Sequence, residues 1–185
     1  MLRRVTPIGL AMFLLGLNLG GVTSAWAFPL WQAQSTPIAP STEPPLPPPP
    51  PGCELLRLVG GEGGEVTKTV SVPSLPIPLP GPLGANVRNN WNTDWAVAGG
   101  RVYRKFVVTF LPRSNGTFNI QMFLKYSDNT ADRFFNEQRT SLNANEVFIV
   151  ETIPQRQEQP FQVNVMVGGA DIVGRRYSVS VAGCP

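Results

Sequence analysis

Asn89-Asn90-Trp91-Asn92-Thr93-Asp94-Trp95 is the segment with the most chemistry in it. An indole face stacks on the apolar face of a sugar, and neighbouring amides and carboxylates give directed hydrogen bonds. Trp91, Asn92, Asp94 and Trp95 are therefore the candidate ligand-binding residues, and the chemistry is that of a carbohydrate-binding surface. The competing account makes Asn89 to Trp95 a loop whose tryptophans pack onto the domain while its asparagines form turns, since large aromatics are mostly buried. Four residues separate Trp91 from Trp95, so on an extended strand they share a face. Both outward would be a platform and both inward would be core; at least one of them is expected to be structural.

Carboxylates are the other route to chemistry. Asp94, Asp128, Asp132, Glu137 and Asp171 are the side chains from which a glycosidase-type acid/base pair would be drawn, but no spacing brings two of them together. Asp128, Asn129 and Asp132 carry oxygen ligands without matching the calcium loop pattern, and they read as ordinary turn residues. Asn115-Gly116-Thr117 matches the glycosylation triplet.

Composition excludes much else. The 185 residues include no histidine and two cysteines. Ser-His-Asp and Cys-His catalysis, imidazole metal sites and tetrahedral zinc sites are thereby removed. No phosphate-binding loop or dinucleotide fingerprint is present. No metal, cofactor or catalytic residue is expected, and the chain reads as non-enzymatic; a carboxylate-dependent hydrolase is the last of the alternatives. Arg3 and Arg4 lie in a leader; without them the net charge falls from +3 to +1. The remaining cations form no stripe, so nucleic acid is not an expected partner.

Residues 1–27 have the form of a secretory signal peptide. Arg3-Arg4 is the charged start, Ile8 to Leu19 the apolar stretch, and Ala25-Trp26-Ala27 the cleavage signal. The apolar stretch is short of the roughly 20 residues that span a bilayer, so a retained anchor is the weaker alternative. No later stretch is long and apolar enough to span. Export to the periplasm or beyond suits a Cys53–Cys184 disulfide, which closes nearly the whole domain and contributes about 5 kcal/mol in the chain-entropy model.

After residue 28, nine prolines fall between Pro37 and Pro51. They lack amide donors and favour a polyproline II spacer. Residues 28–52 are accordingly expected to be a disordered linker that a domain spanning 53–185 does not need for folding. That domain reads as all-β. Strand signals cover 53–59, 65–72, 101–111, 117–126, a stretch through Phe134-Phe135, 146–153, 161–167 and 176–182. In the clearest of them, Phe118, Ile120, Met122, Leu124 and Tyr126 share one face while Thr117, Asn119, Gln121 and Lys125 share the other. Pro73 to Gly84 alternates proline with apolar residues and is barred from a central strand. About eight antiparallel strands form a β-sandwich, immunoglobulin-like or jelly-roll-like, and the pattern does not choose between them.

Asn90 to Trp95, Leu124 to Thr130 and Gly183-Cys184 together resemble an uncharacterised exported protein family of cyanobacteria, over most of residues 85–184. The resemblance implies a periplasmic or extracellular location and no particular activity. The expected role is a binding or structural module in the periplasm or at the cell surface, its partner a glycan or another cell-envelope protein. N-terminal sequencing of the native protein is expected to begin at Phe28; an intact leader in the membrane fraction would show an anchor instead.

Overall fold

The computed structural model describes residues 43–77 and 85–185. The signal peptide and residues 28–42 of the proline-rich segment lie outside the described residues. The strands are β1 Glu54–Leu55, β2 Arg57–Leu58, β3 Glu65–Thr69, β4 Leu75–Ile77, β5 Ala85–Val87, β6 Asn92–Ala96, β7 Lys105–Pro112, β8 Gly116–Lys125, β9 Ala131–Leu142, β10 Phe148–Thr152, β11 Gln162–Val167 and β12 Arg176–Cys184. All of their pairings are antiparallel.

Two five-stranded sheets face each other. In sheet A, β12 lies between β7 on one side and β1 and β3, which pair with different stretches of it, on the other, and β10 forms the far edge beyond β7. Sheet B has the order β2-β6-β11-β8-β9. Numbering the eight longer strands of the sandwich from β3 to β12 gives sheets 1-8-3-6 and 2-7-4-5. That is jelly-roll order, so the structure decides what the strand pattern left open.

The alternating residues close the core between the sheets. Phe118, Ile120, Met122 and Leu124 of β8 and Val163, Val165 and Val167 of β11 face Phe106, Val108 and Phe110 of β7 and Tyr177, Val179 and Val181 of β12. The Phe110 ring stacks on Tyr177 at 5.1 Å and meets Phe118 edge-on at 5.4 Å. Tyr103 fills one end of the sandwich. Its ring lies so close to Gly183 that a β-carbon there would stand 2.6 Å from it.

The strand signal at residues 53–59 proves to be two strands. β1 pairs with β12 in sheet A and β2 with β6 in sheet B, and the buried Leu56 sits at the change of sheets. Leu75 to Ile77, the described strand of the Pro73 to Gly84 stretch, stays out of both main sheets as its prolines require; residues 78–84 lie outside the described residues. β4 pairs only with β5, in a separate two-stranded ribbon away from both main sheets.

The linker expectation is corrected at residues 43–52. Residues 43–52 belong to the same compact unit as the strands. The Cys53–Cys184 disulfide, as expected, is formed, and it pins this segment to the C-terminal end of β12. At the other end Glu43 pairs with Arg176, the first residue of β12, and Arg113 Nη1 donates to the Pro44 carbonyl at 2.5 Å. Nine residues of β-strand and ten of polyproline II both extend about 30 Å, so the segment runs alongside β12 as a strap. Prolines lack amide donors, yet their carbonyls still accept, and Leu46, 7% exposed, supplies the apolar anchor. The strap crosses the outer side of sheet A. There Val107, Thr109 and Leu111 of β7 and Ser178, Ser180 and Ala182 of β12 point away from the core and are nonetheless buried. Arg113 ties the layers by donating through Nε to Ser178 Oγ at 2.7 Å.

Burying one leucine side chain is worth about 1.5–3 kcal/mol. A chain beginning at Gly52 is therefore expected to melt several degrees below the mature protein, and Leu46→Ala to reproduce part of that drop. Thermal denaturation of the three proteins checks this; coincident midpoints would show that the strap contributes nothing.

Candidate functional site

The segment Asn89 to Trp95 is not a loop throughout: its second half is β6, an inner strand of sheet B. Trp95 points into the core and is 0% exposed, with Nε1 donating to the Gly64 carbonyl at 2.8 Å. Trp91 precedes the strand and is half-buried. Its Nε1 donates to the Ser71 carbonyl at 2.9 Å, and its indole covers Gly168 so closely that a β-carbon there would lie 2.1 Å away. The platform reading of the pair is thereby corrected. Trp95 has no face left for a ligand, because the alternation of a strand buried on one side directs it inward with Thr93.

The same alternation turns Asn92 and Asp94 outward, onto the outer side of sheet B. Strand register sets their neighbours. Across the sheet from β2 to β9, one row holds Arg57, Ala96, Gln162, Lys125 and Ala131. The next holds Val59, Asp94, Asn164, Phe123 and Arg133, with Val59 joined to the sheet by its N–H to the Asp94 carbonyl at 2.9 Å. A third holds Asn92, Met166, Gln121 and Asn136. Beyond it Asn119 donates to Asp171 at 2.9 Å.

The middle of this face is fixed by polar contacts. Lys125 Nζ and Asn164 Nδ2 both donate to Asp94 Oδ1, at 2.7 and 3.0 Å. Asn164 faces outward yet is only 2% exposed, sunk among its neighbours. Asp94 keeps Oδ2 as an acceptor. The side-chain amides of Asn92, Gln121 and Gln162 have no hydrogen-bond partner among the described residues, and each offers a donor and an acceptor. Phe123 and Met166 lie half-buried beside them and provide apolar surface.

Lys68 fastens β6 from the core side. It stands opposite the buried Tyr177 on β12, and its Nζ crosses to sheet B, donating to the Asn92 carbonyl at 2.8 Å and to Thr93 Oγ1 at 2.7 Å. Burial lowers its pKa, opposed by the charge of Asp94.

Of the remaining candidate carboxylates, Glu137 stands exposed on β9 opposite Ile120 without a side-chain partner among the described residues, and the others are engaged. Asp128 and Asp132 converge on one guanidinium. Arg156 binds Asp132 through two donors, at 2.6 and 2.9 Å, reaches Asp128 at 3.4 Å and covers the Tyr126 ring at 4.2 Å. The Thr130 hydroxyl and N–H hold the Asp128 carboxyl below the usual carboxylate range. This is a cross-linked turn rather than an acid/base pair. No group of metal-ligating side chains that would hold an ion occurs among the described residues.

No protein-family model and no curated protein matches the chain. Solved structures similar to it include a family 29 carbohydrate-binding module, 8% identical over 71% of this chain and 86% of that one at a TM-score of 0.38. An arginine-to-alanine mutant of such a module is also 8% identical, over 72% and 91%, at the same TM-score. The resemblance is one of β-sandwich architecture.

Only Asn92 and Asp94 of the four residues singled out in the sequence reach the open face. Gln121, Phe123, Lys125, Gln162, Asn164 and Met166 join them, and their outward position was readable from strand alternation, whereas their adjacency depends on pairing. Truncating the fully buried Trp95 to alanine is expected to cost about 3–5 kcal/mol, and Asn92→Ala no more than about 0.5 kcal/mol. Chemical denaturation measures both; an unshifted midpoint for Trp95→Ala would contradict its place in the core.

Proposed function

We propose that the protein is an exported, non-enzymatic β-sandwich module that binds carbohydrate on the outer side of sheet B. The disulfide supports an oxidising compartment outside the cytoplasm. One observation carries the ligand reading. Uncommitted amides of Asn92, Gln121 and Gln162 surround a fixed Asp94–Asn164 pair, with the Phe123 ring alongside. Sugar hydroxyls are donors and acceptors at once, as are side-chain amides, and the apolar face of a sugar ring packs on an aromatic ring. A flat array rigidly held by a sheet meets both demands with little ordering cost.

The placement of the two sides of the sandwich agrees with this. The outer side of sheet A is occupied by the strap, which leaves sheet B as the one with an open central surface among the described residues. Asp94 acts here as a fixed acceptor oriented by Lys125 and Asn164, and nothing in the arrangement supplies a proton donor opposite a nucleophile.

A glycan array followed by titration calorimetry on the best ligand tests the proposal. Binding is expected to weaken by about tenfold in Gln121→Ala and in Phe123→Ala, with melting temperatures close to that of the parent. Binding that survives both changes would place the ligand elsewhere, and an empty array would leave the sandwich a structural module.

A further inference from the structure

The polar face of sheet B is bordered by cations that the fold itself does not use. Arg57 stands at its β2 edge and Arg133 at its β9 edge, one row apart. Both are exposed, and neither side chain has a hydrogen bond or an ion pair within the described residues. Five other arginines are committed: Arg101 to Glu54, Arg113 to Pro44 and Ser178, Arg156 to Asp128 and Asp132, Arg175 to Asn115, Arg176 to Glu43. Arg88, Arg104 and Arg139 are exposed with side chains uncommitted within the described residues as well; of these only Arg139 lies on a strand of sheet B, farther along β9 than Arg133. Between the two free cations Lys125 is neutralised by Asp94, and the row beyond Gln121 ends in Asp171, which is bonded to Asn119. Four strand spacings separate the columns of Arg57 and Arg133, or about 19 Å.

From this arrangement we infer that the ligand is an acidic polysaccharide, a polymer of uronic acid units, lying across the strands with carboxylates on Arg57 and Arg133 and hydroxyls on the amides between them. The inference rests on the glycan-binding reading and adds the charge and direction of the ligand. Guanidinium is the cation suited to it, since its planar fork matches a carboxylate through two parallel bonds. A single cation would mark an end or a branch. Two at opposite borders of an amide field instead require charges repeated along an extended chain. The polymer runs from the β2 edge to the β9 edge, crossing Gln162, Asn164 and Phe123.

Polygalacturonic acid and its fully methyl-esterified form share one backbone and differ at the carboxyl groups, charged in the first and neutral methyl esters in the second, and they make the test. Affinity of the full mature protein for both is measured by affinity electrophoresis or calorimetry at low and high salt. The acid form is expected to bind at least roughly tenfold more tightly than the ester, and the difference to shrink as salt rises. Arg57→Gln and Arg133→Gln are each expected to weaken binding of the acid form several-fold, to leave the ester unaffected and to leave the melting temperature unchanged. Gln121→Ala is expected to weaken both forms. Equal binding of acid and ester, still sensitive to Gln121→Ala, would overturn the charge inference and leave the glycan reading intact. Binding of poly-glutamate as tight as that of the acid form would overturn it too, by showing a general anion surface. Failure of both polymers and of every neutral glycan to bind would remove the reading on which it rests.

Discussion

β7 and β12 bury both of their sides, and most of the architecture answers that requirement. A strand in a two-layer sandwich ordinarily keeps one side in the core and the other in water. Here Phe106, Val108 and Phe110 alternate with the equally buried Val107, Thr109 and Leu111. Tyr177, Val179 and Val181 alternate with Ser178, Ser180 and Ala182. The inner set is covered by sheet B. The outer set lies beneath the strap, and the small side chains on β12 let a polyproline II segment approach closely. The disulfide and the Arg176–Glu43 pair fix the strap at the two ends of one strand, so its path follows from the length of β12.

Covering sheet A in this way makes the two sides of the molecule unlike. The strap's side has few backbone donors to offer, because its residues are mostly proline, and its carbonyls are partly used by Arg113. Sheet B turns outward a surface that is polar without being self-satisfied. Asp94, Asn164 and Lys125 bind one another and set the geometry, while the amides on either side keep their hydrogen-bonding capacity. Lys68 reaches across from sheet A to hold β6 at Asn92 and Thr93, so the position of the candidate site is linked to the sheet that the strap secures. Such coupling gives the proline-rich segment a role beyond spacing: it belongs to the folded unit on which the face is built.

The sequence by itself determined the elements whose physics is local. Strict alternation in residues 117–126 and 161–167 places β8 and β11 in a sheet with one side in the core, and proline excludes Leu75 to Ile77 from the main sheets. The cysteine pair was unambiguous because there are only two. Val107 and Leu111 also carried a readable signal, since an apolar run without alternation marks a strand covered on both sides. What occupied the second side was not readable, because a proline-rich stretch looks the same whether docked or free; only Leu46, one apolar residue among prolines, distinguishes it.

Tertiary structure alone decided the rest. Jelly-roll and immunoglobulin arrangements use the same strands in the same order along the chain, and they differ only in which strands become neighbours, a long-range matter of pairing. The fate of Trp91 and Trp95 depended on it too. Spacing put them on one side of an extended segment, and whether that side met core or water was fixed by the insertion of β6 between β2 and β11. Asp94 and Asn164 are 70 residues apart in the chain and adjacent across that pairing, with Lys125 two strands over. A site assembled from single residues of several strands leaves no motif in the sequence, because register, rather than spacing along the chain, brings its members together.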